Sequence, residues 1–92
     1  MAKYLIHGNY VEDGIKGLIK DGGSSRRAEI TKLVESVGGS LESIYYAFGD
    51  TDVYVIVDLP DNVTAAGLSL ITNASGAVTV GVTVLLTPEE MD

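Results

Sequence analysis

Few side chains of this 92-residue sequence are suited to chemistry, and the single histidine, His7, is the first of them. Histidine exchanges a proton near neutral pH, so His7 is a candidate base or the polar anchor of a ligand pocket. A half-buried strand histidine that bonds to a neighbour is the more ordinary interpretation. Tyr45 and Tyr54 can line a pocket or stack on an aromatic ligand, but tyrosines in a sheet more often pack in a core or a dimer contact.

Charged pairs offer two further candidates. Asp50 and Asp52 are close enough to suggest a metal pair, yet aspartates are also what a turn favours. Arg26 and Arg27 could hold an anion near a helix start, although a solvated helix face is the commoner outcome. One histidine and no cysteine exclude the common zinc clusters and thiolate chemistry. We therefore expect neither a metal nor a cofactor.

The composition limits the partners. A net charge of −7 and a pI near 4.4 oppose binding to nucleic acid or to an anionic membrane. No stretch approaches the ~20 apolar residues of a membrane span, so a cytoplasmic location is expected. Hydrophobic residues make up 46% of the chain, which is high for a single domain spanning residues 1–92. Part of this apolar surface is expected to be buried against another subunit.

The elements that must position these residues are arranged around a predicted β-hairpin. Two runs rich in aromatic and β-branched residues flank a Gly-Asp-Thr-Asp centre at residues 49–52. Gly49 is expected to have a positive φ, and Asp52 to bond backbone N–H groups of the turn. After the hairpin, Asp61 is suited to cap a helix.

Periodicity predicts the order βαββαβ with antiparallel pairing, which is the ferredoxin-like plan of the α+β class. Strands are predicted at Lys3–Tyr10, Ser40–Phe48, Asp52–Leu59 and Ala77–Leu86. Helices are predicted from an N-cap at Ser24 to about Val37 and from Asp61 to about Ala74. Residues 11–20 are predicted to form a short helix or turn, and Thr87 to begin a capped final turn.

Alternation along the strands predicts which face each side chain occupies. In the first strand, Tyr4, Ile6, Gly8 and Tyr10 share one face, and Lys3, Leu5, His7 and Asn9 share the other. If Phe48 pairs with Val53, the helix-facing residues are Ile44, Tyr46, Phe48, Val53, Val55 and Val57. The opposite face then carries Tyr45, Ala47, Tyr54 and Ile56. In the second full helix, Val63, Ala66, Leu70 and Ile71 are predicted to point inward.

The helix-free face of this sheet is too apolar to leave in water, so we expect a homodimer with the two sheets packed face to face. His7, Tyr45, Tyr54 and Thr83 all fall on that face. They are predicted to line a ligand-binding cavity inside the dimer, because an apolar cavity with a few polar groups is the usual form of such a site. The ligand is expected to be small, and aromatic or carbonyl-bearing.

Several landmarks resemble the GYD domain family across essentially the whole chain. They are Asp13-Gly14-Ile15, Arg27-Ala28, Gly38-Gly39, Tyr45, and Gly49-x-x-Asp52 before a Val/Ile strand. The family motif is Gly-x-Tyr-Asp, and here Thr51 stands where the tyrosine is expected. The resemblance implies a dimeric α+β barrel and no established reaction.

Three classes of function stay open at this level. The first is a homodimer that binds or senses a small ligand, since the hairpin is also similar to ligand-sensing domains of amino-acid-responsive transcription regulators. The second is a small enzyme with cofactor-free or haem chemistry, in which His7 is the one candidate axial ligand. The third is a structural or partner-binding dimer. Sharing a fold does not decide between them.

Overall fold

The computed structural model describes residues 1–47 and 49–92, and these form an α+β fold with a four-stranded antiparallel sheet. The strands are β1 (Ala2–Tyr10), β2 (Ser40–Tyr46), β3 (Val53–Leu59) and β4 (Val78–Leu85). The helices are α1 (Glu12–Asp21), α2 (Gly23–Ser36), α3 (Asn62–Ala74) and α4 (Pro88–Met91). The element order is therefore βααββαβ, and the ferredoxin-like prediction is confirmed with residues 12–21 as a full helix.

The strand order is β2-β3-β1-β4, which places β1 and β3 at the centre. Tyr4 lies opposite Val57 on one side and opposite Val84 on the other, so all three project from the same face. Because side chains alternate, the predicted faces of β1 and β4 are confirmed. The helix-facing side of these two strands carries Tyr4, Ile6, Gly8, Tyr10, Val78, Val80, Val82 and Val84.

The core lies between this face and the helices α2 and α3. Its fully buried members are Tyr4, Val34, Val53, Val55, Val57, Leu59, Ala65 and Leu68. Tyr4 is almost completely enclosed, and its hydroxyl donates to Asn62 Oδ1 at 2.6 Å, so the one polar atom of this large side chain is satisfied. The predicted stripe of α2 is confirmed, since Val34 is buried and Ile30, Leu33 and Val37 pack against the core.

The hairpin differs from its prediction in register. Tyr46, and not Phe48, lies opposite Val53, and Phe48 itself falls outside the described residues. A shift of two residues keeps Ile44 and Tyr46 on their predicted face and Tyr45 on the opposite one, because the period of a strand is two. The φ of Gly49 is defined by an atom of Phe48, so the predicted positive φ lies outside the described residues and stays a prediction.

The predicted N-cap of α2 is wrong, and the predicted N-cap of α3 is correct. Ser24 lies inside the first turn of α2, and the N-cap is Gly22, whose φ of 85° is open to glycine at little cost. Asp61 is the N-cap of α3, as predicted, and its carboxylate accepts from the Thr64 N–H at 2.7 Å. This backbone hydrogen bond lowers the pKa of Asp61. The capping box of α4, formed by Thr87 and Glu90, is also confirmed.

The inward face of α3 was predicted wrongly. Ala65 and Leu68 are the buried residues, whereas Val63 is 81% and Leu70 71% exposed, and Ala66 and Ile71 are also exposed. Val63 and Ala65 are two positions apart, or about 200° around a helix, so the two candidate stripes lie on opposite sides. Ala65 and Leu68 are thus the residues through which this helix contacts the core. Larger apolar side chains on the other side do not make that side the inner one.

Candidate functional site

The four predicted ligand residues lie side by side on the helix-free face of the sheet. His7 is directly opposite Tyr54 on one neighbouring strand and opposite Gly81 on the other. Tyr54 is in turn opposite Tyr45. Thr83 lies opposite Leu5, two residues from His7 along β1. The register therefore brings all four side chains onto one face, across all four strands.

Gly81 makes room for the His7 ring. A Cβ atom built at Gly81 would lie 2.9 Å from His7 Cε1 and 3.2 Å from Nε2, so the imidazole lies over the backbone of β4. A residue with a side chain at this position would push the ring away from the strand. The sequence carried a signal for this, because Gly81 interrupts an otherwise continuous run of Val and Thr in β4.

The helix-free face has an apolar centre and a charged end. Its central residues include Leu5, Ile56 and the aromatic pair, of which Tyr45 is 67% exposed. At one end, Lys3 Nζ lies 2.6 Å from a Glu42 oxygen and 3.2 Å from an Asp58 oxygen. The hydrogen bond to Glu42, and then that to Asp58, raises the pKa of Lys3. An apolar centre with charged residues at its margin is the usual composition of a protein interface.

Asp52 has a structural role, but its carboxylate bonds a different group from the one predicted. Its carboxylate accepts from the backbone N–H of Tyr10 at 3.0 Å, at the end of β1 and not within its own turn. Its own N–H donates to Gly8 O at 3.0 Å and to Asn9 Oδ1 at 2.9 Å. Asp52 thus ties the β2–β3 connection to β1. Asp50 is exposed and takes no part in these bonds.

A second concave region, which no residue pattern predicted, lies on the opposite side of the sheet, between the sheet and the helices. This helix-side cavity has a volume of about 310 Å³ and a mostly apolar lining. Arg26, Glu29 and Tyr10 are polar members of its lining on the side nearest α1 and α2. Arg26 was interpreted as part of a solvated helix face, but its side chain is only 22% exposed. Burial raises the pKa of Tyr10, and the nearby Tyr46 phenol raises it further.

Residues 1–47 and 49–92 contain neither a cluster suited to a metal ion nor a helix suited to span a membrane. No group of three or more histidine, cysteine, aspartate or glutamate side chains is arranged to hold a metal ion there. Within the same residues, no helix combines the length and the apolar character that crossing a membrane requires.

Comparison with known proteins gives one match. The family model described as the GYD domain matches residues 4–92, which is nearly the whole chain. Neither the curated proteins nor the solved structures contain a match.

Proposed function

This chain belongs to the GYD domain family, and we propose that it functions as a homodimer that binds a small ligand between its two sheets. The helix-free face carries the proposal. It is an aromatic and aliphatic surface on a sheet whose other face is already covered by helices. A face of this composition is unusual on a monomer that stays in water.

A second copy of the chain is the cover that fits this face best. Two antiparallel sheets stack about 10 Å apart with their side chains interdigitated, so Tyr45, Tyr54 and Ile56 would become inner residues. Packed in this way, the Lys3–Glu42–Asp58 cluster stays at the margin, where its charges keep access to water. The arrangement is the dimeric α+β barrel that the sequence resemblance implies.

The ligand would lie where His7, Tyr45, Tyr54 and Thr83 meet the partner sheet. Their rings provide flat apolar walls, and the imidazole, phenol and hydroxyl groups provide a few hydrogen-bonding atoms. This combination suits a small aromatic or carbonyl-bearing molecule. The His7 ring is held over Gly81, so its direction is set before a ligand arrives.

The assembly is tested by light scattering at micromolar concentration. The parent chain is expected to have the mass of a dimer, and Ile56→Asp the mass of a folded monomer, because a buried unpaired carboxylate is strongly disfavoured. Val63→Asp is the matched control, since Val63 is an exposed aliphatic residue on the outer helix layer. Its dimer is expected to persist. A parent chain that is monomeric at this concentration contradicts the proposal.

The ligand is tested by native mass spectrometry of protein purified from its own host. A retained small molecule is expected at one or two copies for each dimer, and His7→Ala and Tyr54→Phe are expected to lose it. Tyr46→Phe is the matched control, because Tyr46 lies on the helix-facing side of the sheet. If His7→Ala and Tyr54→Phe retain as much of the small molecule as the parent chain, the ligand does not bind on this face.

A further inference from the structure

The helix-side cavity lies on the face of the sheet opposite the proposed dimer contact. It is bounded below by the sheet and above by α2 and α3, and most of its lining is aliphatic. Side chains from both layers contribute, among them Ile6, Ile30, Val55, Leu68 and Val80. The volume of about 310 Å³ is at the lower end of the range for small-molecule sites, which is about 300–1,000 Å³. The cavity therefore suits a ligand at the small end of this range.

Arg26 is the cation of this cavity, and protein groups satisfy it only in part. Its Nη1 lies 3.1 Å from Glu29 Oε2, and its Nη2 is 3.9 Å from Asp21 Oδ2. Its Nε is buried and has no hydrogen-bond partner among the described residues. A buried donor without a partner costs free energy, and more so when it belongs to a charged group. The guanidinium is therefore short of acceptors on the protein side.

The two carboxylates that contact Arg26 neutralise it weakly. The Glu29 side chain is 58% exposed, and the longer contact to Asp21 also involves a partly exposed side chain. Ion pairs that water can reach contribute little free energy, because water screens the two charges. Water screens an acceptor less when it reaches the guanidinium from within an apolar cavity. The Tyr10 side chain also lines the cavity.

We propose that the helix-side cavity binds a small, mainly apolar carboxylic acid, with the apolar part between sheet and helices and the carboxylate on Arg26. A guanidinium presents several donors in a plane and pairs with a carboxylate through two bonds, which one exposed glutamate does not replace. Glu29 competes with the ligand for the same cation. The site is separate from the one proposed on the helix-free face and does not depend on the dimer.

The probe is phenylbutyrate, compared with the neutral phenylbutanol of nearly the same shape, titrated into the full chain by calorimetry. Phenylbutyrate is expected to bind more tightly than the alcohol by at least about tenfold, which corresponds to about 1.4 kcal/mol. Arg26→Met is expected to remove that difference. Glu29→Gln is expected to tighten phenylbutyrate binding, because the competing carboxylate is gone. Arg27→Met, an exposed arginine next in sequence, is the matched control and is expected to bind like the parent.

Amide shifts in heteronuclear NMR locate the probe without any substitution, which keeps the test valid even if Arg26→Met does not fold. Perturbations are expected at Ile30, Val55 and Leu68. Perturbations confined to Leu5 and Ile56 on the helix-free face would overturn the proposal, and so would equal affinity for acid and alcohol. If phenylbutyrate shows no binding at a concentration of about 1 mM, the proposal is overturned as well.

Discussion

At the scale of single residues, Asp52 illustrates how a turn residue can serve a distant strand. Its carboxylate accepts from the N–H of Tyr10, which is 42 positions away in the sequence. The bond therefore closes a long loop in addition to satisfying a backbone donor at the end of β1. A purely local view of the Gly-Asp-Thr-Asp centre would have placed this bond inside the turn.

Replacing this carboxylate should cost stability. Asp52→Ala leaves the partly buried Tyr10 N–H without its acceptor, and we expect the free energy of unfolding to fall by about 1–3 kcal/mol. Urea denaturation measures the change. Asp50→Ala is the control, because Asp50 is exposed, and it should stay within about 0.5 kcal/mol of the parent. Equal losses in the two variants would mean that the bond to Tyr10 contributes nothing specific.

Tyr10 and Tyr46 should lose their phenolic protons at higher pH than a free tyrosine. Burial raises the pKa of both Tyr10 and Tyr46 above the ordinary value of 10.0. The folded state thus disfavours the two phenolates, so this contribution to stability is fully present below pH 10.0 and is lost as pH rises through the folded-state pKa values.

Phenolate absorbance followed as a function of pH checks this expectation. The folded chain should show a component that titrates at higher pH than free tyrosine and that is reduced in Tyr10→Phe and again in Tyr46→Phe. If the folded chain and the urea-unfolded chain titrate over the same pH range, the two phenols are not protected by the fold.

At the scale of elements, the helices differ in how closely they approach their neighbours. Gly14 in α1 is buried, and a Cβ built there would collide with the backbone oxygen of Ala77. Gly67 in α3 has open space around the same position. The first glycine is thus required by packing, and the second only weakens its helix.

This contrast predicts opposite effects of the same substitution. Gly67→Ala should stabilise the fold by about 0.5–1 kcal/mol, because alanine has the higher helix propensity and meets no obstacle. Gly14→Ala should destabilise it by about 1–3 kcal/mol, since α1 must move away from the start of β4. Thermal and urea unfolding of the two variants provide the measurement. Stabilisation by Gly14→Ala would mean that α1 is not held against Ala77 as the structure shows.

At the scale of the whole molecule, charge and apolar surface act in opposite directions on the proposed dimer. Each chain carries a net charge of −7, so two copies repel one another at long range. The attraction is expected to come from the apolar centre of the helix-free face, where charge plays little part.

Salt should therefore strengthen the dimer. Raising the ionic strength from about 0.01 M to about 0.1 M shortens the Debye length from about 30 Å to about 10 Å, which screens the repulsion. Sedimentation equilibrium is expected to show a lower dissociation constant at the higher salt concentration. A dissociation constant that rises with salt would indicate an interface held by ion pairs, and not by the apolar centre around Tyr45 and Ile56.

The amino-acid sequence by itself determined the features that depend on short-range order. Alternation assigned the faces of β1 and placed His7 with Tyr54 on one side. It did so even though the hairpin register was wrong by two residues, because parity alone selects the face. The caps at Asp61 and Thr87 were likewise readable, since each bonds within its own first turn.

Only the tertiary structure decided the features that depend on how elements meet. The rotation of α3 places Ala65 and Leu68 in the core and leaves the more hydrophobic stripe with Val63 and Leu70 outside. Arg26 is largely enclosed because α1 packs beside α2, where the side chain lies near Asp21. It also lines the cavity between the sheet and the helices. Such relations join residues from separate elements, and their energies arise only when those elements are packed together. A local pattern of residues carries no record of that packing.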